Sequence, residues 1–105
     1  MMVYFRLLGK MALETLCSTG HHGCLSEASE RFSLWINNPK VYIHPDHRLL
    51  IYKYGMQESK NPQGDWDKMW RRYLNETNAQ EKINLLHGLS YIQQPGRIRR
   101  YPLKR

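Results

Sequence analysis

The stretch DWDKMWRRYL, residues 65–74, has the clearest periodicity in the chain. Its apolar residues recur at spacings of three and four, which places them on one face of a helix. Asp65 is a favoured N-cap residue, and residues 60–64 before it are typical of a loop. A row of aromatic rings can also stack nucleobases, but helical spacing favours a core face packed against the helices on either side in the sequence. The residues of this face are Trp66, Met69, Trp70, Tyr73 and Leu74.

Upstream, the same spacing predicts three more helices. The first runs from about Val3 to Ser18 and stops at Gly20 and Gly23, because glycine readily adopts the left-handed conformation that ends helices. The second ends near residues 37–38, before a proline that cannot continue it. The third follows an extended connector at 41–43, begins at Pro45 and runs to about residue 57. The three apolar stripes are Tyr4, Leu7, Leu8, Met11, Ala12 and Leu16; Leu25, Ala28, Phe32 and Trp35; and Leu49, Tyr52 and Met56.

Downstream, Asn78 followed by Glu81 resembles a capping box and opens a fifth helix that includes residues 83–92. The pair at 95–96, Pro-Gly, ends that helix, and a sixth helix at Ile98 is stopped by Pro102. Helices joined by such short connections are antiparallel neighbours. The sequence therefore predicts an all-α fold in which five or six helices form antiparallel pairs and a short α-solenoid.

The net charge of +7 comes mostly from the C-terminus. Residues 97–105 hold five basic side chains, and the rest of the chain has 11 basic against 9 acidic residues, a net charge of +2. We therefore divide the chain into a helical domain, residues 1–96, and a basic tail, residues 97–105. A solvated tail is the simplest interpretation, and binding of nucleic acid or anionic lipid is the alternative. The charge distribution predicts no specific nucleic-acid partner.

The sequence contains no recognisable catalytic motif. None of the five histidines is followed by glutamate, which excludes a His-Glu-x-x-His zinc site, and there is no phosphate-binding loop or Gly-x-Ser-x-Gly turn. No run of apolar residues is long enough to span a membrane, and we expect no export signal at the N-terminus. We predict no catalytic residue, no metal ligand and no cofactor on this chain, whose own localisation stays open.

One set of residues and short motifs occurs along the chain in a recognisable order and spacing: CLSEAS at 24–29, Phe32, Trp35, Pro45, Arg48, YKYG at 52–55, Trp66, Trp70, Tyr73, NETNAQEK at 75–82, Leu85, Leu86 and Leu89. Together they resemble the C-terminal helical domain of zinc-dependent aminopeptidases, the family of aminopeptidase N, the endoplasmic reticulum aminopeptidases and glutamyl aminopeptidase. The resemblance extends over about residues 7–101, a small part of such an enzyme, and the stretch RLLIYKYGMQ at 48–57 is most similar to the glutamyl aminopeptidase branch.

The resemblance implies that this chain is part of a lid that closes over a catalytic domain encoded elsewhere. In the family, that missing domain holds the zinc ion and the catalytic residues, and the enzymes act at the cell surface or in the endoplasmic reticulum lumen. The implied partners are the catalytic domain and the peptide substrate, and the implied reaction is removal of N-terminal amino acids from peptides. The alternatives are a stand-alone helical interaction module, for which we also expect self-association, and a basic nucleic-acid binder.

The resemblance further implies a disulfide between Cys17 and Cys24. A reducing compartment would leave two buried thiols instead, and a zinc site with His21 and His22 is a third interpretation of this corner. Many relatives have a second cysteine pair, whose positions correspond to Lys53 and Tyr91 here.

The tripeptide Asn75-Glu76-Thr77 is an N-glycosylation sequon. It lies where the predicted fourth helix ends, so we expect Asn75 to be exposed and to accept a glycan if the chain is translocated.

Overall fold

A computed structural model describes residues 3–92, which form six α-helices. Within that range no residue lies in a strand, so the predicted all-α fold is confirmed. The solenoid arrangement stays a prediction, and the proposed boundary at residue 96, the sixth helix at Ile98 and the basic tail lie outside the described residues. The predicted extension of the fifth helix through residue 92 to a Pro-Gly stop is wrong, because the helix ends at Leu89 and Ser90 is its C-cap. The helices are α1 (Val3–Leu7), α2 (Lys10–Ser18), α3 (His22–Asn37), α4 (Pro45–Gln57), α5 (Pro62–Asn75) and α6 (Ala79–Leu89).

Helix α4 forms the centre of the fold. It begins with Pro45 as predicted, and the His44 side chain caps it by accepting a hydrogen bond from the Asp46 N–H at 3.1 Å. A surface helix buries one stripe, whereas α4 is buried on most of its circumference because α2, α3, α5 and α6 all pack around it. Its buried residues are Leu50, Ile51, Tyr52, Tyr54, Gly55 and Met56.

Two glycines allow the neighbouring helices to approach closely. A Cβ atom on Gly55 would overlap the side chain of Phe32 on α3. A Cβ atom on Gly88 of α6 would lie 2.8 Å from the Tyr52 Cβ atom and 2.9 Å from the Met69 sulfur. Side chains at either position would push α3 or α6 away from α4 and open the core.

The predicted single helix over residues 3–18 is wrong, because the chain breaks at Leu8 and Gly9 into α1 and α2. The buried carboxylate of Glu27 on α3 accepts hydrogen bonds from the backbone N–H groups of Tyr4 at 2.9 Å and Phe5 at 3.1 Å. These are first-turn donors that have no partner within their own helix. Tertiary contacts thus override a continuous amphipathic pattern.

The helix stop after α2 is partly as predicted. Gly20 has φ = +89°, the left-handed conformation expected of a glycine that ends a helix. Gly23, in contrast, lies in the first turn of α3 and plays no part in the stop. A Cβ atom there would lie 2.5 Å from the Tyr4 ring, so this glycine makes room for α1.

The predicted start of the fourth helix, now α5, is also wrong. The helix begins at Pro62, and its N-cap is Asn61, whose side chain accepts a hydrogen bond from the Gly64 N–H at 3.4 Å. Asp65 lies within the first turn, where its charge complements the helix dipole. Residues 62–64 look like a loop by composition, but proline fits the first helical position, where its missing N–H has no partner to lose.

The aromatic stripe of α5 is only partly a core face. Met69 is fully buried, Trp66 and Tyr73 are half-buried against the core, and Trp70 is 38% exposed. The rings of Trp66, Trp70 and Tyr73 stack in a row with centroids 5.7 and 5.3 Å apart. The α6 helix covers one side of this row, since Trp66 Nε1 donates to the Leu89 carbonyl and the Lys82 ammonium lies 4.7 Å from the Tyr73 ring.

The start of α6 follows the prediction, because the Asn78 side chain accepts a hydrogen bond from the Glu81 N–H at 2.9 Å. The carboxylate of Glu81 does not complete a capping box. It points instead toward α4, where it meets Tyr52 and Arg48.

We predict that Gly55→Ala destabilises the fold by about 1–3 kcal/mol, because the new methyl group overlaps Phe32 in a packed core. Urea unfolding followed by circular dichroism measures the change. Gly20→Asn provides a contrasting control, since asparagine tolerates the left-handed conformation and no atom lies within 4 Å of its added Cβ. Equal stability of Gly55→Ala and the parent chain would contradict the close approach of α3 and α4.

Candidate functional site

A groove lies between the connector 38–44 and the facing ends of α5 and α6. It has a volume of about 840 Å³, and Trp35 and Leu85 are among its lining residues. Four basic side chains and two acidic ones line it, so its net charge is positive. They are Lys40, Arg48, Arg71, Arg72, Glu76 and Glu81.

Arg72 is held by the end of α3. Its guanidinium donates hydrogen bonds to the carbonyls of Trp35 at 2.6 Å and Ile36 at 3.4 Å, and it lies 4.0 Å from the Trp35 ring. The last carbonyls of a helix lack intrahelical partners and carry partial negative charge, which favours a cation there. Burial lowers the pKa of Arg72, but an arginine side chain in a protein stays charged at neutral pH. Sequence reasoning missed this contact, because nothing in the local pattern of α5 signals it.

Glu81 joins α6 to α4 across the groove. Its carboxylate accepts hydrogen bonds from the Tyr52 hydroxyl at 2.5 Å and from Arg48 Nη1 at 3.4 Å. Arg48 Nε donates to the Ile43 carbonyl at 2.7 Å and thereby fixes the connector. Burial and then the Glu81 hydrogen bond raise the pKa of Tyr52. The sequence predicted a cap at this position but not the role of its carboxylate.

This arrangement suits binding better than catalysis. The charges of Arg48, Arg72 and Glu81 are already engaged with protein groups, whereas Lys40 and Arg71 are exposed at the groove. Across residues 3–92, no three His, Cys, Asp or Glu side chains are grouped so that they could hold a metal ion. The groove therefore presents fixed charges and an apolar floor to a ligand or another part of a protein.

Cys17 and Cys24 form a disulfide that joins the end of α2 to the start of α3, with Cα atoms 5.2 Å apart. Both residues are buried. Closing so short a loop stabilises the fold by about 2–3 kcal/mol in the chain-entropy description. The His21 Nδ1 atom accepts a hydrogen bond from the Cys24 N–H at 3.1 Å and caps α3, so the structure does not support the zinc alternative for this corner.

Lys53 and Tyr91 also lie close together. The Lys53 ammonium lies 5.3 Å from the Tyr91 ring, and it also forms an ion pair with Glu14 at 3.2 Å. The Lys53 side chain is only 12% exposed, and a cation–π contact contributes more in such a desolvated place than the roughly 0.5–1 kcal/mol of an exposed site. The correspondence of these two positions to a second cysteine pair stays a prediction.

His44 and His47, which lie at the start of α4, have structural roles. Besides capping α4, His44 lies with its ring 5.7 Å from that of His47. The His47 ring meets the buried Phe5 ring edge-on at 5.4 Å. Burial, and then the charges of His44 and Arg31, lower the pKa of His47.

Asn75 is the last residue of α5 and is exposed, as expected. Its side chain donates a hydrogen bond to the Arg71 carbonyl at 3.1 Å, and the residue lines the groove. Thr77, the hydroxyl residue of the sequon, is exposed as well.

We predict that Tyr52 makes stability fall above about pH 10. Its pKa is raised in the folded state, so the unfolded chain loses this proton first, near the ordinary tyrosine value of about 10. The contribution is fully present below that pH and is lost above it, by up to about 1.4 kcal/mol per pH unit. The free energy of unfolding of Tyr52→Phe, measured by urea unfolding between pH 8 and about 11, should decline less steeply with pH than that of the parent chain. The exposed Tyr42→Phe is the matched control and should follow the parent chain; identical slopes for all three proteins would refute the Tyr52 assignment.

The sequence of this chain matches one protein-family model and several known proteins. A family model described as "ERAP1-like C-terminal domain" matches residues 6–102. Human glutamyl aminopeptidase is 35% identical over 96 residues, which are 91% of this chain and 10% of that protein. The pig protein of the same name (Sus scrofa) is 34% identical over 96 residues, with the same shares, and human aminopeptidase Q is 30% identical over 87 residues, 83% of this chain and 9% of that protein. The chain therefore spans about 10% of the length of these glutamyl aminopeptidases.

Proposed function

The chain belongs to the ERAP1-like C-terminal domain family, and from this membership we propose that it is a non-catalytic segment of the helical lid of a zinc aminopeptidase. The observation that carries the proposal is the match over residues 6–102, nearly the whole chain. Peptide hydrolysis in such enzymes needs a metal-activated water and a base. We assign the water, the base and the zinc ion to a catalytic domain elsewhere in the intact protein. We further propose that the intact protein acts at the cell surface or in the endoplasmic reticulum lumen.

The groove between the connector and α5/α6 is the part of this lid that we assign to the peptide, at the end distal to the cleaved N-terminus. Its support is the pairing of an apolar floor with charges held in fixed positions by Arg48, Arg72 and Glu81. Fixed groups bind a ligand with less loss of conformational entropy than mobile ones. Lys40 and Arg71 at the rim then add attraction for acidic or carboxylate-bearing segments.

A chimera tests both parts of this proposal. In human glutamyl aminopeptidase, the matching 96 residues are replaced by this chain. We expect the chimera to hydrolyse an aminoacyl anilide, and the isolated chain to show no turnover with or without zinc. Lys40→Gln and Arg71→Gln in the chimera should each raise KM for longer acidic peptides about two- to fivefold, the value of one exposed charge, and leave KM for the anilide unchanged.

The exposed Lys10→Gln, on α2 and outside the groove-lining residues, is the matched control and should change neither KM. Turnover by the isolated chain that a chelator abolishes would overturn the non-catalytic assignment. Equal effects of the groove variants on anilide and peptide, or no effect on either, would remove the groove from peptide binding.

A stand-alone helical interaction module is the second candidate, and the outer face of α5 and α6 favours it. Trp70, Leu74, Ile83 and Leu86 are all exposed large apolar residues on these two helices. Such residues suggest a surface that another helix or protein covers. The chimera separates the two candidates, because a module unrelated to the enzyme has no reason to support its turnover.

We also propose that Asn75 carries an N-linked glycan when the chain enters the secretory pathway. Both sequon side chains are exposed at the end of α5, and the sequence has no other Asn-x-Ser/Thr tripeptide. The chain expressed with an export signal in eukaryotic cells should shift in mass after glycosidase treatment. Asn75→Gln and Thr77→Ala should abolish the shift, whereas Thr77→Ser and the exposed Asn37→Gln should keep it. An unmodified Asn75 in the exported chain would disprove the assignment.

A further inference from the structure

Helix α1 sits on the rest of the fold in the manner of a bound peptide. We call it the latch, and its binding site on α3 and α4 the socket, formed by Gly23, Glu27, Arg31 and His47. Glu27 is 4% exposed and accepts hydrogen bonds from two latch N–H groups. The latch residue Phe5 is 2% exposed, with the Arg31 guanidinium 5.5 Å from its ring and the His47 ring at 5.4 Å.

The hinge between the latch and α2 has a sequence suited to a second conformation. Apolar residues continue from α1 into α2 at helical spacing, which is why the sequence predicts one helix over residues 3–18. In the broken form, Leu7 is 73% exposed and Met11 is 83% exposed. In a continuous helix these two residues stand four positions apart and contact each other on one face. The hinge residue Gly9 has φ = −76° and ψ = 171° and caps α2 without a side-chain hydrogen bond.

We propose that the latch exchanges between two copies of the chain. In the second state, residues 3–18 form one continuous helix, and the latch of each copy occupies the socket of the other. Exchange of an identical element retains the native contacts and changes only the hinge, which makes it a low-cost route to a dimer.

The socket itself identifies its occupant. An empty socket leaves the buried Glu27 carboxylate without the two N–H groups that it binds, and an unpaired buried charge is costly. The latch of a second copy restores both hydrogen bonds, the Phe5 packing and the contact of Tyr4 with Gly23. Opening of the latch is therefore coupled to association, and the dimer fraction rises with protein concentration. This proposal does not depend on the peptide groove or on the relation to aminopeptidases.

Two substitutions at Gly9 shift the equilibrium between the broken form and the continuous helix in opposite directions. No atom lies within 4 Å of a Cβ atom added there, so Gly9→Ala fits the broken form. In the continuous helix, however, alanine is preferred to glycine, and the substitution raises the equilibrium constant for forming that helix about fivefold. Because each exchanged dimer has two hinges, its dissociation constant should fall about 25-fold. Gly9→Pro fits the broken form, because proline suits the observed φ and, within residues 3–92, the Gly9 N–H donates no hydrogen bond that would be lost. In the continuous helix, proline removes a backbone hydrogen bond and its ring clashes with the carbonyl of the preceding turn.

Light scattering coupled to size-exclusion chromatography, over a range of concentrations of the full chain, measures the dimer. We expect Gly9→Ala to dimerise more strongly than the parent and Gly9→Pro to stay monomeric. Adding Leu7→Gln to Gly9→Ala should leave the dimer intact, because the exchanged latch binds the socket through its backbone N–H groups and Phe5, whereas Leu7 is 73% exposed. Glu27→Gln would not serve as the test, because the carboxylate binds the latch equally in the closed monomer and in the exchanged dimer.

A Gly9→Ala chain that associates no more than the parent would overturn the proposal. So would a Gly9→Ala dimer that Leu7→Gln or Met11→Gln returns to a monomer, since association would then run through these exposed residues rather than through the socket. If circular dichroism shows that Gly9→Pro is unfolded, the comparison of Gly9→Ala with and without Leu7→Gln still decides between these outcomes.

Discussion

The burial of α4 is the constraint on which the rest of the structure depends. A helix surrounded on most sides needs neighbours that approach closely, and Gly55 and Gly88 provide the space against Phe32 and Tyr52. Close packing of this kind maximises dispersion contacts and leaves few voids. Because the closest approaches come from α3 and α6, the positions of these two helices follow from residues in and around α4. Residues of α3, α4 and α6 line the groove together with the connector and α5, so its shape depends on the same contacts.

Three glutamates connect helices that are distant in sequence. Glu27 holds α1 on α3, Glu14 on α2 meets Lys53 and Tyr54 on α4, and Glu81 on α6 meets Tyr52 and Arg48 on α4. A hydrogen bond to a charged group contributes about 1.5–3 kcal/mol, and a buried polar group without a partner costs a similar amount. Such contacts stabilise one arrangement of helices over others whose apolar faces pack equally well. They explain how six short helices adopt a single packing.

The aromatic and charged residues around the groove serve packing and positioning: Trp35 supports Arg72, Tyr52 supports Glu81, and Arg48 holds the connector. The lid that we propose depends on such residues for a rigid shape and a polar face. The disulfide between Cys17 and Cys24 links α2 to α3. The contact of Lys53 with Tyr91 links α4 to the residues that follow α6.

The sequence by itself determined the all-α class, most of the helices, the Pro45 and Asn78 starts and the exposure of Asn75, because periodicity, proline geometry and capping act within a few residues. Motif resemblance, rather than any local rule, indicated the family and the cysteine pairing. The tertiary structure alone decided the break at Gly9, the roles of Glu27, Glu81 and Arg72, and the partial exposure of Trp70. Each of these depends on a group 20 or more residues away that pairs with a buried charge or covers a helix face, and local sequence contains no record of such a partner.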